Sequence, residues 1–114
     1  MNQDLHQLHD LLIAQHQALF AKLDEAGDAD EGKAILTEMQ EILHRIDVLQ
    51  NLLFRKTTTA LTNNLQKVDD ADTELTNTLK SAATATDIIK GVGKFLTVVD
   101  KAIDLAKTLA PLAV

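Results

Sequence analysis

The chain has 114 residues, of which 46% are hydrophobic but only 3% are aromatic, and its formal net charge is -6 at pH 7. This composition argues against a nucleic-acid-binding protein, because such proteins need a surplus of Lys and Arg for phosphates and aromatic rings for stacking on bases. The chain has no cysteine, so disulfides and thiolate metal sites are excluded.

Helix breakers are almost absent from the middle of the chain. No glycine or proline occurs between Gly32 and Gly91, and the only proline is Pro111. Such a stretch is typical of long α-helices, since both residues destabilise helix interiors. We therefore predict an all-α protein with one helical domain over residues 1–114, either an antiparallel helical bundle or a coiled-coil hairpin of three to four helices.

The first helix is predicted over residues 3–25, because leucines recur there at helical spacing. The segment 26–32, AGDADEG, ends this helix, and Asp28 or Asp30 can cap the next one. A loop this short makes the two helices antiparallel neighbours. The apolar positions that define the first helix are Leu5, Leu8, Leu12, Leu19 and Leu23.

The second helix is predicted over residues 33–56 and the third over residues 60–87. Each has a row of apolar residues in steps of three and four, with Asp72 as the polar exception in the third helix. Asp72 would weaken that row or fix its register. The second helix uses Ile35, Met39, Ile42, Ile46, Leu49 and Leu53, and the third uses Leu61, Leu65, Val68, Leu75, Leu79 and Ala82.

The β-branched run Thr57, Thr58 and Thr59 separates these two rows and leaves two alternatives open. A continuous helix with a shift in its heptad phase would be roughly 80 Å long, at about 1.5 Å per residue, and would form an extended rod. A break at the threonines would instead give segments similar in length to the first helix, which could stack into a compact bundle.

The last helix is predicted over residues 88–110. Its apolar residues form one broad face, whereas Lys90, Lys94 and Lys101 lie on the other. The segment 91–96, GVGKFL, resembles the opening of the magainin class of amphipathic membrane peptides. The resemblance implies that this helix could bind a membrane surface; the alternative is that its apolar face packs against the other helices.

Four residues are candidates for a metal site: His9, His16, Glu41 and His44. Imidazole and carboxylate groups suit Zn²⁺ or Fe²⁺, and Glu41 and His44 have the Glu-x-x-His spacing of di-iron bundles. Only dimerisation could supply the second copy of that motif. A further hypothesis is that buried His9 and His16 make an interface sensitive to pH, since protonation would place charge within it.

No pattern for nucleophilic catalysis or phosphate binding is present, so we predict a protein that is not an enzyme and needs no cofactor. The first functional hypothesis is an interaction or scaffold protein that self-associates through its leucine-rich rows. The predicted contact residues are Leu61, Leu65, Val68, Leu75, Leu79, Phe95, Val99 and Ile103.

Two further hypotheses remain beside it. One is a membrane-active or secreted helical protein that uses residues 88–110, and the other is a metal-binding bundle formed by dimerisation. The start of the chain, MNQDLHQLHD, lacks the apolar core of a secretory signal, and no segment has the length and apolarity of a membrane-spanning helix. The expected location is the cytoplasm, with non-classical secretion left open.

Overall fold

A computed structural model of the chain describes residues 2–81 and 84–111. It contains four helices: α1 (Gln3–Asp24), α2 (Ala29–Gln50), α3 (Thr59–Ser81) and α4 (Ala85–Lys107). No β-strand occurs in the described residues apart from an isolated bridge between Arg55 and Pro111. The predicted all-α helical bundle is confirmed.

The chain breaks at the threonines instead of continuing as one helix. The side-chain oxygen of Thr58 accepts a hydrogen bond from the backbone N–H of Leu61 at 3.2 Å, which caps the start of α3. The bundle measures 50 × 22 × 17 Å, and this is too short for the rod alternative. Its Cα radius of gyration of 14.8 Å exceeds the value of about 13 Å for a compact domain of this length, so the bundle is elongated.

Helix ends differ from the sequence predictions where local caps decide them. Asp28 caps α2, which therefore begins at Ala29 and not at residue 33. Helix α2 ends at Gln50 and not at residue 56, because residues 51–54 form turns that bond to the start of the chain. Thr84 caps α4, so this helix begins three residues before its predicted start. Residues 82 and 83, predicted as helical, lie outside the described residues.

The four helices form two antiparallel hairpins that lie side by side. Helix α1 packs on α2 and α3, and helix α4 packs on α3 and α2. Polar contacts show that α1 and α3 run in the same direction, since Asp4 bonds to Thr62 whereas Gln15 bonds to Thr76 further along both helices. The connection between α2 and α3 therefore crosses the end of the bundle diagonally.

At the end of the bundle that the α2–α3 connection crosses, hydrogen bonds join this connection to both ends of the described chain. Asn2 caps α1, donates its backbone N–H to the carbonyl of Leu53 at 2.8 Å, and donates its side-chain amide to the carbonyl of Arg55 at 3.0 Å. The backbone N–H of Lys56 donates to the carbonyl of Ala110 at 2.7 Å. Buried Asn2 thus both donates and accepts hydrogen bonds, as expected for a polar group in an interior.

The core is a continuous aliphatic interior with one aromatic ring, that of Phe95. Each helix contributes one row of buried side chains. Fully buried members from the four helices include Leu12, Ile42, Leu61 and Val99. Burial of these apolar side chains is the main force that holds the two hairpins together.

Candidate interaction surfaces

The eight residues predicted to mediate self-association all lie in the interior of a single chain. They are buried in α3 and α4, with side chains no more than 6% exposed. In this conformation they pack against the other helices of the same bundle. A surface that binds a second protein must therefore use other residues.

The apolar face of α4 also belongs to this core. Ile88, Val92 and Leu96 are buried there, whereas Lys90, Lys94 and Lys101 are exposed. Binding of this face to lipid would require α4 to leave the bundle, and membrane binding stays a prediction. Among the described residues, no helix has the length and apolarity needed to cross a bilayer.

The two histidines predicted at an interface, His9 and His16, both lie on α1. The His9 side chain is 15% exposed, and its Nε2 atom is buried without a hydrogen-bond partner. Its ring stacks on that of His6, with the ring centroids 6.4 Å apart. His16 is half-buried. The pH-sensitive interface stays a prediction.

The other two candidates for the metal site, Glu41 and His44, lie on α2. His44 is exposed on α2, and the carboxylate of Glu41 is 2.9 Å from the guanidinium of Arg45. In the described parts of the chain, no three His, Cys, Asp or Glu residues are grouped closely enough to hold a metal ion. A metal site made by two chains stays a prediction.

A buried amide links α1 to α3 where each helix interrupts its apolar row. Gln15, which is 3% exposed, donates its side-chain N–H to Asp72 Oδ1 at 2.7 Å and to Thr76 Oγ1 at 3.0 Å. Its carbonyl oxygen is buried without a partner. The contact brings together the two polar positions that interrupt the apolar rows of α1 and α3. That Asp72 weakens its row or fixes the register stays a prediction.

An ion pair links α2 to α4 in the other half of the bundle. Arg45 donates two hydrogen bonds to the carboxylate of Asp100, at 2.8 and 3.1 Å, and also bonds to the carboxylate and the backbone carbonyl of Glu41. The bonds to Asp100 raise the pKa of the Arg45 guanidinium further above its ordinary value. Nearby, burial raises the pKa of Glu38, and the adjacent charge of Glu41 adds to this effect.

The surface also has two grooves, each lying between a pair of neighbouring helices. A groove of about 420 Å³ lies between α3 and α4, where Leu75 and Phe95 are among the apolar lining residues. Its lining carries Lys90 and Lys94 but also Glu74 and Asp87, so its charges balance and select no ligand charge. A second groove of about 410 Å³ lies between α1 and α3.

The outer face of the α1–α2 hairpin exposes a cluster of apolar side chains. In this antiparallel pair Leu23 lies beside Gly32, so α1 and α2 residues whose numbers sum to 55, or to within one of it, are neighbours. Phe20 is then level with Leu36, and Ile13 with Leu43. Phe20 is 57% exposed, and the two leucines are 47% and 46% exposed. We call Ile13, Phe20, Leu36 and Leu43 the outer patch.

Sequence reasoning missed Gln15, Arg45 and the outer patch. A signal existed for the first, because Gln15 interrupts the row between Leu12 and Leu19 just as Asp72 interrupts the row of α3. A signal existed for the patch as well, because Leu36 and Leu43 are seven residues apart and lie beside the buried row of α2. Arg45 gave no comparable signal.

No family model matches the chain, and comparison with curated proteins and with solved structures gives no significant match.

Proposed function

We propose that this protein is a non-enzymatic helical interaction protein that self-associates through the outer patch. The observation that carries the proposal is the grouping of exposed apolar side chains. Five large apolar side chains are exposed among the described residues. The register of the α1–α2 pair and the helical spacing group three of them, Phe20, Leu36 and Leu43. Scattered exposed apolar residues need no explanation, whereas grouped ones mark interaction sites.

The size of the patch indicates a weak contact. The exposed apolar area of these side chains is on the order of 300 Å² per chain, within the range of the largest patches on monomeric proteins. A contact built around it would bury less than about 1,200 Å² in total, which is the range of transient complexes. We therefore expect dissociation constants in the micromolar range or weaker, and a monomer in dilute solution.

The test is the mass of the protein in solution as a function of concentration. For the wild type, sedimentation equilibrium should show a mass that rises from 12.5 kDa towards twice that value. The double variant Leu36→Ser, Leu43→Ser should remain a monomer, because it removes the apolar contact but no buried side chain.

The matched control is Ile89→Ser on α4, where the side chain is 47% exposed but lies away from the outer patch. This variant should associate like the wild type. Two results would contradict the proposal: a wild type that is monomeric at every concentration, or an Ile89→Ser variant that loses association as fully as the patch variant.

A further inference from the structure

Helix α2 has a second heptad row beside its buried one. It consists of exposed residues in successive steps of three, four, three and four, and both leucines of the outer patch that come from α2 belong to it. None of its members has an ion-pair partner within the described residues. We call this row the α2 stripe: Lys33, Leu36, Gln40, Leu43 and Asp47.

The α2 stripe is complementary to itself when two copies run antiparallel. A two-fold axis near Gln40 places Leu36 of one copy against Leu43 of the other. The same axis places Lys33 against Asp47, twice by symmetry, and brings the two Gln40 side chains together. Amides can donate to and accept from one another, so every position of the stripe meets a suitable group.

From this pattern we infer that the partner of the outer patch is a second copy of this chain, bound through antiparallel contact of α2 with α2. This inference rests on the proposed function and adds the helix, the direction and the register. Phe20 and Ile13 of α1 flank the contact and extend its apolar area. Opposite charges at both ends of the stripe fix the register, as charged positions do beside the apolar rows of coiled coils.

The charges of α1 disfavour the competing arrangements. A similar outer row on α1 has Asp10 at one end and Asp24 at the other, so antiparallel contact of α1 with α1 would oppose two carboxylates. Antiparallel contact of α1 with α2 would oppose Asp10 and Asp47, although it would also pair Asp24 with Lys33. Like charges placed opposite one another destabilise a contact, and only the pairing of α2 with itself avoids them.

Charge reversal tests the register. Lys33→Asp and Asp47→Lys should each raise the dissociation constant by about five- to thirtyfold at low salt, because each replaces two attractive pairs with two repulsive ones. An equimolar mixture of the two variants should regain association, since both cross-chain pairs are again of opposite sign. Sedimentation equilibrium on each variant and on the mixture measures this.

The competing arrangement of α1 on α2 makes the opposite prediction for one variant. There, Asp47→Lys would face Asp10 and strengthen association. That result, or a mixture that associates no better than the separate variants, would overturn the inference. Neither would remove the proposed function, which fails only if the wild type does not associate or the patch leucines do not matter.

A cross-link supplies an independent test, because the chain has no cysteine of its own. Gln40→Cys should form a disulfide-linked dimer under mild oxidation, since the two copies meet at residue 40. The matched control is Gln66→Cys on the exposed, polar side of α3. Equal rates of cross-linking for both variants would mean random collision and would overturn the inference.

Discussion

Helices α2 and α3 have 22 and 23 residues and one buried apolar row each, but their outer sides differ. The exposed positions of α3 are polar apart from Ala60, whereas α2 exposes Leu36 and Leu43 in register with Phe20 of α1. The polar outer side of α3 shows that this fold does not need apolar residues outside its core. The apolar residues outside α2 therefore call for an explanation of their own.

The two helices also differ in how polar groups attach them to their neighbours. Helix α2 is joined to α4 through the two hydrogen bonds between Arg45 and Asp100, and helix α3 is joined to α1 through Gln15 and Asp72. The first contact joins two charged groups, whereas the second joins a neutral amide to a carboxylate, so the first is expected to be the stronger. The following substitutions separate these contributions.

The largest effect is expected in the buried row of α2. Ile42→Ala should lower the free energy of unfolding by about 2–4 kcal/mol, since Ile42 is fully buried and leaves a cavity. Its neighbour Leu43, exposed on the outer patch, is the control: Leu43→Ala should change stability by no more than about 0.5 kcal/mol. Urea unfolding of dilute samples measures both. Equal losses would mean that α2 does not bury the face described above.

Breaking the ion pair should come next. Arg45→Met should cost about 1–2 kcal/mol, because the Arg45 side chain is 16% exposed and its loss leaves the carboxylate of Asp100, which is 49% exposed, without its two donors. Adding Asp100→Asn should recover part of this loss, since only the exposed carboxylate of Glu41 then lacks its partner. A double-mutant cycle by urea unfolding measures the coupling, and a value near zero would show that the pair does not join α2 to α4.

The amide contact of α3 should have a smaller effect. Asp72→Leu alone should cost about 1 kcal/mol, because the buried amide of Gln15 loses its best acceptor. Combining it with Gln15→Leu should restore or exceed wild-type stability, since two apolar side chains then complete both rows. A double variant that is less stable than either single variant would contradict this, because these positions would then need polar side chains for a reason other than their mutual contact.

The smallest effect is expected at Glu38. Burial raises its pKa in the folded protein, so the ionised form is disfavoured on folding and stability falls as pH rises through that pKa. Glu38→Gln should therefore increase the free energy of unfolding at pH 7 by less than about 0.5 kcal/mol, which thermal unfolding shows as a slightly higher midpoint. The gain should vanish near pH 3, where the carboxyl is protonated in both states. A gain that persists at pH 3 would have a cause other than charge.

The helical class could be predicted from the sequence, because the spacing of leucines and the absence of breakers depend only on local chemistry. The break at Thr57 to Thr59 could not be settled in advance, since it depends on the hydrogen bonds of Asn2 to Leu53 and Arg55, which are distant in sequence. In contrast, the starts of α2 and α4 depend on local chemistry, because Asp28 and Thr84 cap them.

The placement of the interaction residues shows the limit of periodicity. A row such as Leu61, Leu65 and Val68 indicates that a helix packs, but not whether its partner is in the same chain. Both cases bury the same side chains. The outer patch could be found only once the buried rows had been assigned, because its exposure is defined by the packing of the whole bundle.

The central claim is that the buried rows are satisfied within one chain and that only the outer patch joins chains. Small-angle X-ray scattering with light scattering, on the wild type and on the Leu36→Ser, Leu43→Ser variant, tests it most directly. We expect the variant to be a 12.5 kDa particle no longer than the 50 Å bundle. A variant that remains a multimer or an extended rod would contradict the claim, because its buried rows would then join separate chains.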